Sequence, residues 1–431
     1  MLGNAAYPTY QAFISLAVAA VIAAVIMPLW IRVMRIEHFG QQVRADGPEQ
    51  HLIKQGTPTM GGVVILVALA ITCLVMGRLT AELALVLIAT LATGVLGLID
   101  DLTSVTHGRS LGLTPHAKMI GLTLICVLFC LLSINWCGVE PVVRFPGGLS
   151  VDLGVLTTTV DIAGEPFHIP WLYMIFTWLL IVGLSNAVNL TDGLDGLAGG
   201  TSMIAMLVMA AVCFICNDSN LTIFCAACAG ACLGFLWFNC YPASIFMGDT
   251  GSLLLGYVLA TVSVLGLFKF YAIVTFVVPV LALAVPLSDT LFAFCRRILH
   301  GQSPFHADRG HFHHKLMDLG LNQKQAVAIL YAISATLGLA AVVLTTKGTI
   351  RIALLILALL IGFVVCAFIR KSVHKHHIDV ELQEAQAAAE AQADAEAAEP
   401  EKDAASAETE QDSDTTAAEA PAQEVNDEQT H

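Results

Sequence analysis

The chain has 431 residues, of which 57% are hydrophobic and only 13% charged, with a mean hydropathy of +0.77. A composition this apolar excludes a soluble globular domain of that size and indicates a polytopic membrane protein. The net charge of -14 belongs mostly to a tail: the segment from Asp379 onward holds 17 of the 34 acidic residues and one of the 20 basic ones, leaving 19 basic against 17 acidic residues in the body.

Apolar runs long enough to cross a bilayer are predicted at residues 10–34, 60–77, 83–99, 119–135, 171–188, 197–216, 221–238, 251–268, 272–294, 325–346 and 350–369, eleven in all. The first run, at about 25 residues, is long enough to span and so is not read as a cleaved signal peptide. Eleven spans place the termini on opposite sides. With the N-terminus outside, fourteen Lys and Arg residues fall on the inner side and five on the outer, which sets the C-terminus in the cytoplasm. The expected fold is therefore an all-α polytopic integral membrane protein of about 11 transmembrane helices. Between the fourth and fifth spans, Cys137 to Pro170 is the one long external segment, and its alternating VVRF, LSVDLGV and FHI pieces predict a short β-hairpin. The expected division is a transmembrane catalytic domain over residues 1–371 and an acidic, Ala/Glu-rich, disordered cytoplasmic tail over 372–431. The 12 cysteines, including the Cys213/Cys216 and Cys225/Cys228 pairs, lie mostly inside apolar runs without further ligands nearby and read as small packing residues.

Every sizeable inner loop except the tail carries a polar motif. In chain order these are KQGTPTMGG (54–62), IDDLTSVTHGRSLGLTPHAK (99–118), NLTDGLDG (189–196), FNCYPASIFMGDTGS (238–252) and CRRILHGQSPFHADRGHFHHKL (295–316). Asp100, Asp101, Asp192, Asp195 and Asp249 are five acids at helix ends, costly to place at a bilayer edge and suited to a Mg²⁺ site that uses carboxylate oxygens and substrate phosphates. Helix capping would account for Asp249 and Asp195 taken singly, but not for the Asp100–Asp101 pair at a helix exit, where the dipole disfavours anions. Arg296, Arg297 and Arg309 offer forked donors to phosphate, with membrane anchoring as the competing reading for one of the pair. His311, His313 and His314, with His306, are read as phosphate donors or proton carriers rather than as a transition-metal cluster. The residues alone point to phosphoryl transfer between a soluble nucleotide and a lipid, leaving a phospholipid phosphatase or a cation-coupled transporter open. The interfacial placement of the acids speaks against a transporter of an anionic lipid or sugar, whose site would sit near the bilayer midplane.

GTPTMGG, IDD, NLTDGLDG, the NCYPASIFMGDTGSL run and the His-rich last loop, taken in that order, resemble the polyprenyl-phosphate N-acetylhexosamine-1-phosphate transferases of the glycosyltransferase 4 type over about residues 10–370. The resemblance implies transfer of a sugar-1-phosphate from a UDP-N-acetyl sugar to undecaprenyl phosphate on the cytoplasmic face of a bacterial plasma membrane, with Mg²⁺ (or Mn²⁺ in its place) and release of UMP. It implies Asp249 as the principal metal ligand with Asp192 near it, and Asp100 and Asp101 as the pair serving the acceptor phosphate. Gly193, Leu194, Asp195 and Phe246 match the uracil pocket, and Lys54, Asn189 and Asn239 match substrate positions. His311, His313 and His314, with Arg297 and Arg309, are expected to hold the diphosphate and assist the leaving UMP. Membrane lipids are the surroundings, a homodimer is allowed, and no nucleic acid is expected. Two branches compete. KQGTPTMGG resembles the phospho-N-acetylmuramoyl-pentapeptide branch, whereas DRGHFHHKL resembles the N-acetylglucosamine-1-phosphate branch. Weighting the last loop, the expectation is UDP-N-acetylglucosamine as donor, for the first membrane step of a cell-envelope glycan.

Overall fold

The computed structural model describes residues 8–37, 39, 56–107, 112–145, 149–162, 164–269, 316–317, 319–346, 351–365 and 367–371, with positions 288, 292, 299, 349 and 386. The chain divides into two units, Met1–Arg370 and Lys371–His431. The helices of the first are α1 (Pro8–Ile36), α2 (Gly62–Met76), α3 (Ala81–Thr106), α4 (Pro115–Asn135), α5 (Trp171–Thr191), α6 (Leu197–Ile215), α7 (Ser219–Asn239), α8 (Gly248–Lys269) and α9 (Gln323–Thr345). A further apolar helix, α10, runs over Arg351–Lys371.

Among the described residues nine helices are long and apolar enough to cross a membrane, and α2, at 15 residues, is a shorter apolar helix. The protein is thus a mostly helical, multi-pass membrane protein. Of the eleven predicted spans, the one at 272–294 lies outside the described residues except for positions 288 and 292. Between α4 and α5, where one short β-hairpin is expected, the chain forms strands. That segment forms two antiparallel pairs: β1 (Val142–Arg144) with β2 (Ser150–Asp152), and β3 (Thr157–Ile162) with β4 (Glu165–Pro170). The Thr and Val residues of TTTVDI suit a strand that is open on both faces, and all six residues of β3 are exposed.

Helix starts follow local chemistry. Thr80 accepts from the Leu83 amide and Thr114 from the Ala117 amide, with Pro115 opening α4. Asn322 and Gln325 form a reciprocal capping box on α9. Depth follows composition. Phe13, Val21, Val25 and Leu29 on α1 are at least 60% exposed, the apolar surface expected of a helix facing lipid. In contrast, residues 250–266 of α8 are buried throughout, so α8 is the central post of the bundle. It packs on α2, α3 and α5, while α7 packs on α1, α2 and α6, and α9 on α6.

These approaches need glycine at the crossings. A Cβ on Gly97 of α3 would lie 2.5 Å from the Asp249 carbonyl oxygen, and one on Gly62 of α2 would lie 2.1 Å from the Gly251 amide nitrogen. The start of α8 is therefore wedged between α2 and α3 with backbone nearly touching backbone. The C-terminal ends of α3 and α5 and the N-terminal ends of α2, α4 and α8 consequently meet at one end of the bundle.

Candidate active site

At that end Asp100, Asp101 and Asp249 come together, each offering a carboxylate oxygen within 4.8 Å of the others. Asp100 and Asp101 were expected at a helix exit near residue 99, but α3 continues to Thr106. The pair therefore lies inside the last two turns of a helix, where the dipole disfavours negative charge. What compensates them differs for the two residues.

Asp101 is almost closed from solvent, at 8% exposure. One of its oxygens accepts from the Asp249 amide at 2.9 Å; the other accepts from the Thr250 amide at 2.9 Å and the Thr250 hydroxyl at 2.6 Å. These are the free amides at the start of α8, so a carboxylate from α3 caps a different helix. Gly248, with φ of +74°, turns the chain into α8, and a Cβ there would lie 2.4 Å from the Asp101 carboxylate. Capping, read from the sequence as an explanation for Asp249, belongs instead to Asp101.

Asp100 accepts from the Leu113 amide at 2.8 Å and from the Lys118 ammonium at 3.1 Å. Lys118 also bonds the carboxylate of Asp249, whose other oxygen accepts from the Asn189 side-chain amide at 2.7 Å. Asn189 in turn donates to Ser252 Oγ at 2.8 Å. Asp249, Asn189 and Lys118 thus form the open side of the cluster, with side-chain exposure of 27% at Asp249 and 19% at Lys118 against 6% at Asp100. Carboxylates are hard oxygen donors of the kind Mg²⁺ takes, so the acid group, with Asp249 as its open member, fits the metal. Asp192 is not in the group of three: it sits at the C-cap of α5, its amide bonded to the Asn189 carbonyl at 3.3 Å.

A second junction lies beside the first. Asp195, buried, accepts from the Ala243 amide at 3.1 Å, and Asn239, also buried, accepts from the Gly196 amide at 3.0 Å while donating to the Ile245 carbonyl at 2.9 Å. Both ends of the Asn239 amide are engaged within the protein, so its observed role is to join the 192–196 turn to the 240–247 loop. Gly193 is half-buried in that turn, its amide bonded to the Thr191 carbonyl. Leu194 packs with Leu197, Val327 and Leu330, in a cluster that ties the turn to α9. Tyr331 of α9 donates its hydroxyl to the Gly196 carbonyl and fills the notch over Gly200. Phe246 is half-buried, and its backbone bonds both Pro58 and Gly61, which pairs the GTPTMGG loop with the GDTGS loop. Met60 in that pairing holds φ at +66°, rare for a side chain with a Cβ, with its carbonyl bonded by the Trp30 indole at 3.0 Å.

Four of the five polar motifs thus converge. Lys54, Arg297, Arg309, His311, His313 and His314 lie outside the described residues. Lys118, Thr250, Ser252 and Tyr331 were not singled out from the sequence as site residues. A cation in the first turn of α4, where the dipole disfavours it, was the signal available for Lys118.

The glycosyl transferase family 4 model matches residues 83–267, and the phospho-N-acetylmuramoyl-pentapeptide-transferase signature 1 matches residues 54–66. A phospho-N-acetylmuramoyl-pentapeptide-transferase of Geobacillus kaustophilus is 36% identical over 307 residues, 69% of this chain and 89% of the relative. Those of Bacillus velezensis (40% over 249 residues, 57% of this chain and 72% of the relative) and Bacillus mycoides (37% over 252 residues, 58% and 73%) are similar to it as well. All three carry the name of the branch that KQGTPTMGG resembles, so the weighting that favoured the last loop finds no support among them.

Proposed function

We propose a reaction for this chain, which belongs to glycosyl transferase family 4: transfer of phospho-N-acetylmuramoyl-pentapeptide from its UDP ester to undecaprenyl phosphate, with release of UMP, at the cytoplasmic end of the helix bundle. The observation that carries the reaction type is the cluster of Asp100, Asp101 and Asp249 at converging helix ends of a membrane protein. The choice of donor rests on the signature at residues 54–66 and on the names of the relatives.

In this reading an acceptor phosphate oxygen attacks the β-phosphorus of the UDP ester, the bond from that phosphorus to the bridging oxygen breaks, and UMP leaves with the electron pair. Most of the catalysis is positioning and charge neutralisation, as in phosphoryl transfer generally. Asp249, the most open of the three acids, would hold Mg²⁺, which supplies charge neutralisation at the diphosphate. Asn189 orients Asp249, and Asp101 fixes the start of α8 and through it the Asp249 backbone. Asp100 is the group next to the acceptor phosphate, positioned to orient it or take its proton. Asp192, outside the group of three, keeps the place near the metal and diphosphate that the family resemblance implies. Asp195 and Asn239 shape the nucleotide pocket by holding its two loops, with Phe246 as the ring for uracil and Gly193 and Leu194 in its wall. Lys54, Arg297, Arg309 and the three histidines keep the parts that the family resemblance implies, binding the diphosphate and assisting the leaving UMP.

A second reading, N-acetylglucosamine-1-phosphate transfer, is favoured by one observation: the last loop reads DRGHFHHKL rather than three consecutive histidines. The test is UMP release by the purified protein with Mg²⁺, undecaprenyl phosphate and each UDP donor in turn. Release with the muramoyl-pentapeptide donor alone is expected; release with UDP-N-acetylglucosamine alone would overturn the choice.

A further inference from the structure

Lys118 is placed against local preference. It sits in the first turn of α4, where the helix dipole repels a cation, and its long side chain is drawn between two carboxylates, 3.1 Å from Asp100 and in contact with Asp249. Asp100 and Asp101 are in turn placed against the dipole of α3. Residues that break local rules on neighbouring helices and satisfy one another mark a site under functional constraint. Asp101 resolves its misplacement permanently, through three hydrogen bonds to the start of α8. The Asp100–Lys118–Asp249 bridge is different in kind. It rests on one flexible side chain with three rotatable donors and no rigid fork, and its Asp249 side is the part of the cluster open to solvent.

We propose that Lys118 is a built-in counter-cation that occupies the Asp249 carboxylate when no metal is bound and is displaced from it by the divalent cation, remaining tethered at Asp100 within reach of the substrate phosphates. The inference rests on the reading of Asp249 as metal ligand given above. Its physical basis is that Asp100 and Asp249 repel each other unless a positive charge lies between them, and that an ammonium and a metal ion cannot share one carboxylate face at close range. Displacement frees a positive charge at the point where the diphosphate adds negative charge, so the site stays balanced in both states.

The consequence is opposite to that of an ordinary supporting residue: removing Lys118 makes metal binding tighter while making turnover worse. The test is Mn²⁺ binding to the full-length protein in detergent, followed by electron paramagnetic resonance, for wild type, Lys118→Met, Lys118→Arg and Asp249→Asn. Removing one competing charge at contact distance predicts a Kd about tenfold lower in Lys118→Met, with Lys118→Arg, whose fork grips carboxylates, no tighter than wild type and Asp249→Asn at least tenfold weaker. The rise in melting temperature on adding Mn²⁺ is expected to be larger in Lys118→Met than in wild type, a readout that stays informative if the metal-free variant is less stable. UMP release by Lys118→Met at saturating Mn²⁺ is expected to fall at least tenfold. An unchanged or weaker Kd in Lys118→Met, in a wild type whose UMP release requires metal, overturns the lysine proposal and leaves the metal assignment standing. A wild type that binds no Mn²⁺ overturns both.

Discussion

Replacing Asp101 by alanine separates a structural part for this acid from the acceptor-phosphate part that family resemblance implies. The substitution strands the Asp249 amide, the Thr250 amide and the Thr250 hydroxyl, with Thr250 fully buried. A buried donor left without a partner costs about 1–3 kcal/mol, and loss of a helix cap alone about 0.5–2 kcal/mol. Allowing for water reaching some of these groups, we expect a loss of about 3–5 kcal/mol, most of it from unsatisfied donors. Asp101→Asn keeps the shape and one acceptor oxygen but turns an NH₂ toward one of the amides, so about half that loss is expected. The assay is thermal unfolding of the purified protein in detergent without metal, where the alanine variant should melt lower by on the order of 10 °C. The asparagine variant should fall between it and wild type. A wild-type melting temperature in both variants, with turnover lost, would refute the capping account and return Asp101 to the acceptor site.

Three further substitutions probe the frame around the centre. Gly97→Val puts side-chain atoms where even a Cβ would be 2.5 Å from the Asp249 carbonyl; overpacking of this kind costs about 1–3 kcal/mol or more, so loss of folded protein on size-exclusion chromatography is expected. Tyr331→Phe removes the hydroxyl bond to the Gly196 carbonyl, worth about 0.5–1.5 kcal/mol. Because Gly196 lies in the turn proposed to line the nucleotide pocket, KM for the UDP donor should rise several-fold with kcat little changed. Ser252→Ala deprives Asn189 of one partner while leaving its bond to Asp249, so a drop in kcat of less than tenfold is expected in steady-state UMP release.

How far the sequence reaches toward this site depends on the kind of signal each residue leaves. Hydropathy locates α5 and α6 closely, because Trp171–Val182 and the residues after Leu197 are continuous apolar runs between polar turns. The same signal ends α3 too early. Asp100 and Asp101 close the apolar window at residue 99, yet the helix runs to Thr106 because their charge is met by α8 and Lys118 rather than by water. The convergence of IDD, NLTDGLDG and GDTGS is legible from topology, since each lies at an end of a span on one side. The division of labour within it is not. That Asp101 is sealed as a cap while Asp249 stays open depends on which amides face which oxygen, a property of how α3 crosses α8. Asp195 and Asn239 illustrate the same limit: their residue types suit substrate binding, and that they also hold the Ala243, Gly196 and Ile245 backbone is set by the fold. On the branch of the family, the relatives and the signature side with the first motif rather than with the last loop. The first motif, GTPTMGG, is built into the centre through Pro58, Gly61 and Gly62 bonded to Phe246 and Met247, whereas the last loop lies outside the described residues.

The central claim is that phosphoryl transfer takes place at the carboxylate cluster, with Asp249 as its metal-binding member. The most direct test is metal-dependent UMP release by Asp249→Asn beside wild type, with Mn²⁺ binding and melting temperature measured on the same preparations. The account predicts a folded variant with Mn²⁺ affinity reduced at least tenfold and turnover reduced by about three orders of magnitude or more. A folded variant that turns over near the wild-type rate would contradict it.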